Sequence, residues 1–236
     1  MIYLAGVLEC HLVIDSGSVS LAPGGVLYDT AVMVRRSVDP RVSVFSRLAN
    51  DGPGRILLEA LVRERIVFDP NLVCESLPSY LVVEDREGRS VTYSGSTSQV
   101  CAQSGEMSNA LAGNSDVDIV SVLGGGLYYQ PLFSSILDSV TFLPQKPYLV
   151  LDPASGSFEH PDLPRYVRQI RTALEYADEL ILSQEDLGLF PDCELSSLAP
   201  VVNIVRSGHV VRYQAGEKEE FEGGRQAVYR RLSQRM

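Results

Sequence analysis

Three turns in this sequence carry residue types that could do chemistry. Gly124-Gly125-Gly126 follows an apolar run and could present bare backbone N–H groups to a ligand; Asp152-Pro153 ends the next such run with a carboxylate. Ser183-Gln184-Glu185-Asp186 ends a third with a hydroxyl and two carboxylates. In an open parallel sheet ligands collect beyond the carboxyl ends of the strands, beside helix N-termini, and all three turns would fall there. Each also has a plainer reading, respectively a tight strand-to-helix turn, a helix-stopping turn, and an N-cap with an acidic first turn. Near the start, Glu9 and His11 are two apart on a β-rich run. They share a face and could grip a polar group of a ligand, or simply bond to each other at a strand end. Asp29 and Asp51 read in the same way as helix-end carboxylates.

Several reaction classes are excluded by what these turns lack. Tyr129 occupies the third glycine place of a GxGxxG fingerprint, and no Walker lysine follows. The sequence has no GxSxG elbow and no HExxH helix. Cys10, Cys74, Cys101 and Cys193 are dispersed with no CxxC pair, as are His11, His160 and His209, so a zinc centre is not expected and reduced thiols are.

The elements that must hold such turns are legible in the patterning. The chain has 236 residues, 45% of them hydrophobic, enough to bury one core as a single α/β domain over residues 1–236. A formal net charge of −10 is the wrong sign for a phosphate backbone or an anionic bilayer, so neither nucleic acid nor a membrane is an expected partner. No apolar run approaches the length of a membrane span, and no basic segment precedes the first apolar stretch, which gives a cytoplasmic expectation. The opening run 2–14 reads as one strand continuing into a turn at 15–18. A short helix over 28–36, a strand over 42–45 and a helix capped by Asp51 with Pro53 in its first turn follow. Residues 80–83 and 89–93 flank a polar turn and predict a hairpin, and 94–113 reads as loop with one short helix near 107–111. From 119 onward strands at 119–123, 148–151, 179–182 and 201–205 alternate with helices at 132–140 and 163–176, the pattern of a parallel sheet covered on both faces. The cluster Glu217, Glu219, Glu220 and Glu222 reads as a solvated turn, and 225–235 as a short amphipathic helix with a basic face.

From residue 2 to 211 this order of elements resembles the ribokinase family, also called the PfkB carbohydrate kinases. The stretch that carries the resemblance is Gly24-Gly25, the helix at Ala31, and Val42-Ser43-Val44-Phe45-Ser46-Arg47-Leu48-Ala49-Asn50-Asp51-Gly52-Pro53-Gly54-Arg55, similar to the family's first signature. Glu87-Gly88-Arg89 in the hairpin looks like the family's lid. Leu151-Asp152-Pro153 and Ala177-Asp178-Glu179-Leu180 resemble the strand ends on the nucleotide side. The resemblance implies a three-layer α/β/α fold with a mostly parallel central sheet and a small β lid (approximately 8–22 and 78–97), C-terminally shortened. It implies transfer of a phosphoryl group from ATP, with magnesium, to a sugar or nucleoside hydroxyl. It implies substrate-side positions at His11, Gly24, Gly25, Asp29 and Gly125, and nucleotide- and metal-side positions at Asp152, Ser183 and Asp186.

At the places where the family's chemistry resides, this chain departs from it. The sugar-gripping aspartate falls at His11 and the helix asparagine at Asp29; Asn-x-x-Glu becomes Ser183-x-x-Asp186. The late Gly-Ala-Gly-Asp turn, which supplies base and amide cradle together, has no counterpart. No aspartate follows Val205, and the late Gly223-Gly224 pair is followed by Arg225. An alcohol needs a carboxylate to take its proton and positive charge or N–H dipoles for the phosphoryl oxygens. The expectation is therefore a degenerate family member without catalytic residues or a metal site, whose cofactor is open, ATP and magnesium entering only if the family activity is retained. Its ligand would be a sugar-like small molecule. The alternatives are an active kinase completed by a partner or a further C-terminal segment, and an interaction module that forms a homodimer through the lid.

Overall fold

Residues Ile2–Ala5 are apolar and buried at every position, as the centre of a parallel sheet requires. In the computed structural model of the chain, which describes residues 1–15, 18–38, 41–75, 81–84, 90–93, 105–112, 117–130, 132–142, 145–157 and 162–235, they form β1. The opening run is two strands rather than one, because the chain leaves the sheet at Gly6 and resumes as β2 (Glu9–Asp15) in a different sheet. At the break the Gly6 N–H donates to the Phe45 carbonyl at 3.1 Å, and a Cβ there would lie 3.0 Å from the Leu123 oxygen. The Leu8 N–H then donates to Ser46 Oγ at 3.2 Å, which fixes the exit.

β3 (Ser18–Gly24) returns beside β2, and α1 (Gly25–Val38) follows without a loop. Pro23 lies within β3, which is at the edge of its sheet, where a proline costs no ladder bond. Next come β4 (Val42–Phe45), β5 (Leu48–Ala49), α2 (Gly52–Arg63), β6 (Val67–Phe68) and β7 (Val73–Cys74). The Asp51 carboxylate caps α2 by accepting from the Gly54 N–H at 2.8 Å. Asp51→Ala is expected to lower stability by about 1 kcal/mol, with Asp51→Asn recovering most of it, as read from urea unfolding midpoints. β8 (Leu81–Glu84) and β9 (Ser90–Tyr93) pair antiparallel as the predicted hairpin; its turn, with Glu87-Gly88-Arg89, lies outside the described residues, as do 94–104 with Cys101, and His160.

The remaining elements are α3 (Glu106–Ala112), β10 (Ile119–Leu123), α4 (Leu132–Phe142), β11 (Tyr148–Asp152), α5 (Leu163–Leu174), β12 (Glu179–Leu182), β13 (Val201–Arg206), β14 (His209–Gln214), β15 (Glu217–Glu222) and α6 (Arg225–Ser233). The large sheet runs β15-β14-β13-β12-β11-β10-β1-β4-β6, parallel from β6 to β13 and antiparallel in its last two ladders. A smaller sheet runs β3-β2-β8-β9. The expected solvated turn at 217–222 is thus a strand. As an edge strand with one partner, β15 keeps its glutamates in water, so the period that marks a half-buried strand is missing and the charges guard the edge. Its Phe221 is covered by the Arg231 guanidinium, 3.8 Å from the ring centre.

Alternate residues of the central strands feed two cores, one on each face. Tyr3, Ala5, Val120 and Val122 pack with Met107, Leu132, Ile136 and Tyr166, so α3, α4 and α5 cover that side. Ile2, Leu4, Ile119 and Leu123 pack with Leu27, Ala31, Leu57, Leu61 and Val228, which places α1, α2 and α6 on the other. Ser121 faces this second core and is bonded to the Tyr229 hydroxyl at 2.7 Å, satisfying both buried groups. At the amino ends of the strands the fully buried Glu179 carboxylate accepts from Asn203 at 2.6 Å, Tyr148 at 2.9 Å and Arg212 at 3.0 Å, a knot tying β11 through β14. No helix among the described residues is long and apolar enough to cross a membrane.

Candidate functional site

At the opposite ends of the parallel strands, the turns after β11, β12 and β13 meet the N-terminus of α6, with β2 and α1 facing them. Between them lies a cleft of about 780 Å³. Its lid-side wall is made by Glu9 and His11 of β2 and by Gly25, Asp29 and Thr30 of α1; the facing wall is Ala154, Gly156, Ser183, Glu185 and Arg225. Four of the positions expected from the sequence therefore share one cavity: His11, Gly25, Asp29 and Ser183.

The double glycine has a packing reason in this chain. A Cβ on Gly24 would lie 2.7 Å from the His11 ring, and one on Gly25, whose φ is +82°, would lie 2.6 Å from the Glu9 carboxyl carbon. Both side chains pass over the backbone where β3 becomes α1, which only glycine permits. Glu9 is buried, with His11 Nε2 3.5 Å from its Oε2. Burial pushes the Glu9 carboxyl above its ordinary value, against the opposing pull of His11, and the Asp29 charge pushes the same way. Asp29 keeps an exposed side chain at the cleft, and partial desolvation by its surroundings raises its carboxyl while His11 pulls it back.

Three expected positions do other work. Asp152, fully buried at the end of β11, accepts from Arg225 Nε at 2.7 Å and Nη2 at 2.9 Å. Asp186 is fully buried too, and its oxygens accept from the Ser155 N–H at 2.7 Å and the Ser183 N–H at 2.6 Å, while Ser183 Oγ accepts from the Asp186 N–H at 3.3 Å. It ties the β11 and β12 turns together and holds Ala154 in its left-handed conformation, φ +45°. Gly125 is buried in a 3₁₀ turn against Tyr129 and Val7 and does not line the cleft.

No protein-family profile matches the sequence, and no curated protein sequence does. Solved structures do match. Fructokinase from Vibrio cholerae O395, with fructose, ADP and calcium bound, superposes with a TM-score of 0.71 at 19% identity, over 94% of this chain and 76% of that one. A protein described provisionally as ribokinase II of E. coli, with ATP and magnesium, gives 0.76 at 16% over 94% and 78%. The fold is ribokinase-like. Aminoimidazole riboside kinase from Salmonella enterica, with that riboside and an ATP analogue, is a third such neighbour, with 0.72 at 15% over 94% and 76%.

Within the ribokinase-like fold of this chain, the residue that most alters the cleft is one the sequence did not announce. Arg225 opens α6 and is held across 73 positions by Asp152. The one signal was its place directly after Gly223-Gly224. Thr30 and Gly156 also line the cleft without a sequence signal, and of the two carboxylates in the turn after β12 it is Glu185 that lines it.

Proposed function

We propose that this chain is a ribokinase-family protein whose cleft binds a small polyhydroxylated molecule and does not transfer phosphoryl groups. The observation that carries this reading is the bidentate Arg225–Asp152 pair at the N-terminus of α6. The family resemblance implies a base and an amide cradle in a Gly-rich turn opening a late helix; here such a helix opens with a guanidinium already engaged by a carboxylate. Among the described residues that line the cleft, Arg225 is the permanent cation, and Asp152 neutralises it. Glu9, Asp29 and Glu185 add carboxylates around it, so a polyphosphate would meet repulsion where it needs positive charge.

The residues do not fit magnesium and ATP. Asp152 and Asp186, the candidates for the metal side, are buried and already accept from Arg225 and from backbone N–H groups. No group of three or more metal-ligating side chains occurs among the described residues. The structural neighbours' bound fructose and riboside support a sugar-sized ligand for the same kind of cleft.

Loss of a general base is worth about 10²–10⁴-fold in rate and loss of an anion hole about 10²–10³-fold. The purified chain with ATP, magnesium and a panel of hexoses, pentoses and nucleosides is therefore expected to form no phosphorylated product above background. Calorimetry without nucleotide is expected to detect one or more of those sugars. Steady turnover by the chain alone overturns the reading.

A further inference from the structure

We infer that the ligand of this cleft carries a protonated amine, an amino sugar or aminated polyol, whose ammonium sits between Glu9 and Asp29. This rests on the preceding reading of the cleft as a small-molecule site and names the class of molecule. Four observations lead to it. The Glu9 side chain is only 6% exposed yet borders the cleft, a cradle that Gly25 makes room for. Its neighbour His11 is 3.5 Å away, long for a charge-assisted hydrogen bond, and carries charge only when protonated. Asp29 reaches the same wall from the second turn of α1, close enough for the two carboxylates to repel. Across the cleft, Arg225 gives its charge to Asp152, and Glu185 adds a further negative group.

With Glu9 and Asp29 ionised, the lid side of the cleft carries two carboxylates against the single imidazole of His11, which is charged only when protonated. A neutral sugar hydroxyl donates a hydrogen bond to a carboxylate but leaves its charge uncompensated. An ammonium donates up to three hydrogen bonds and cancels a charge in a partly dehydrated site, where a charge pair is stronger than in open water. The selection works through the Asp29 carboxylate, and it needs no change in the size or shape of the cleft.

Calorimetric titration of the intact chain at neutral pH with matched probes tests this: glucosamine against glucose and N-acetylglucosamine, and glucamine against sorbitol. The aminated member of a pair is expected to bind about ten-fold or more tightly than its neutral counterparts. In Asp29→Asn, an exposed position whose folding is checked by circular dichroism, that preference is expected to fall to about two-fold or less. Glu9→Gln is expected to act in the same direction. Equal or tighter binding of glucose or sorbitol overturns the inference while leaving the cleft a polyol site, and so does a preference that survives Asp29→Asn. Failure of both aminated and neutral probes to bind removes the polyol reading, and the inference with it.

Discussion

Replacing Arg225 with alanine is expected to destabilise the fold by about 3–5 kcal/mol, although the residue borders a cleft and belongs to a nine-residue terminal helix. The substitution leaves Asp152, with no exposed surface, deprived of both guanidinium bonds. An isolated buried carboxylate is among the most unfavourable groups a core can hold. The pH dependence identifies the cause. Burial places the Asp152 carboxyl above its ordinary 3.8, against the pull of Arg225, with Asp186 pushing the same way. An acid raised in the folded state contributes stability that is full below its unfolded value and is lost as pH rises through its folded value. Without Arg225 the folded-state value rises further, so the deficit of Arg225→Ala is largest at neutral pH and shrinks as pH falls toward 4. Urea midpoints at several pH values check this, and a deficit that does not change with pH would rule out Asp152 as its source. Pairing Arg225→Met with Asp152→Leu is expected to restore most of the loss, because a buried ion pair is replaceable by apolar side chains of similar volume.

The second large effect is expected at the other end of the sheet. Arg212→Leu removes the Nη1 donor shared by Glu179 Oε1 and Asn203 Oδ1, both at 3.0 Å. Glu179 keeps Tyr148 and Asn203 as donors, so the expected loss is about 3 kcal/mol, toward the lower end for a broken buried pair. Because the knot joins β11 to β14, amide exchange is expected to accelerate across those four strands together. A matched control is Arg36→Ala, whose bidentate contact with Glu64 lies on the surface; its unfolding midpoint is expected to stay close to that of the parent chain. If Arg212→Leu behaves like that control, the knot contributes nothing specific.

Much of the architecture was legible because burial writes itself into composition. The runs that became β10 and β11 are buried on both faces, so they had to be continuous apolar stretches, and Asp51 with Pro53 marked the start of α2. Where a segment has only one neighbour, that link weakens. β15 carries five charged residues in six because water satisfies the side its partner does not, and β3 could end in Pro-Gly because it borders its sheet. The single opening strand became two because Gly6 packs against the Leu123 carbonyl, a contact 117 positions away that no local pattern reports.

Among the candidate ligand groups the same division holds. The family resemblance pointed to His11 and Asp29, and both line the cleft. Asp152 and Asp186 looked equally suitable, and residue type alone could not separate them from Asp29. Residue order determined the parallel core and which turns gather at its carboxyl edge, since apolar periodicity and turn chemistry are local properties. Which carboxylates stay open to a ligand was decided by tertiary structure, because Arg225 and the Ser155 and Ser183 amides reach theirs only once distant elements have packed, and a charge satisfied from within has little left to offer a guest.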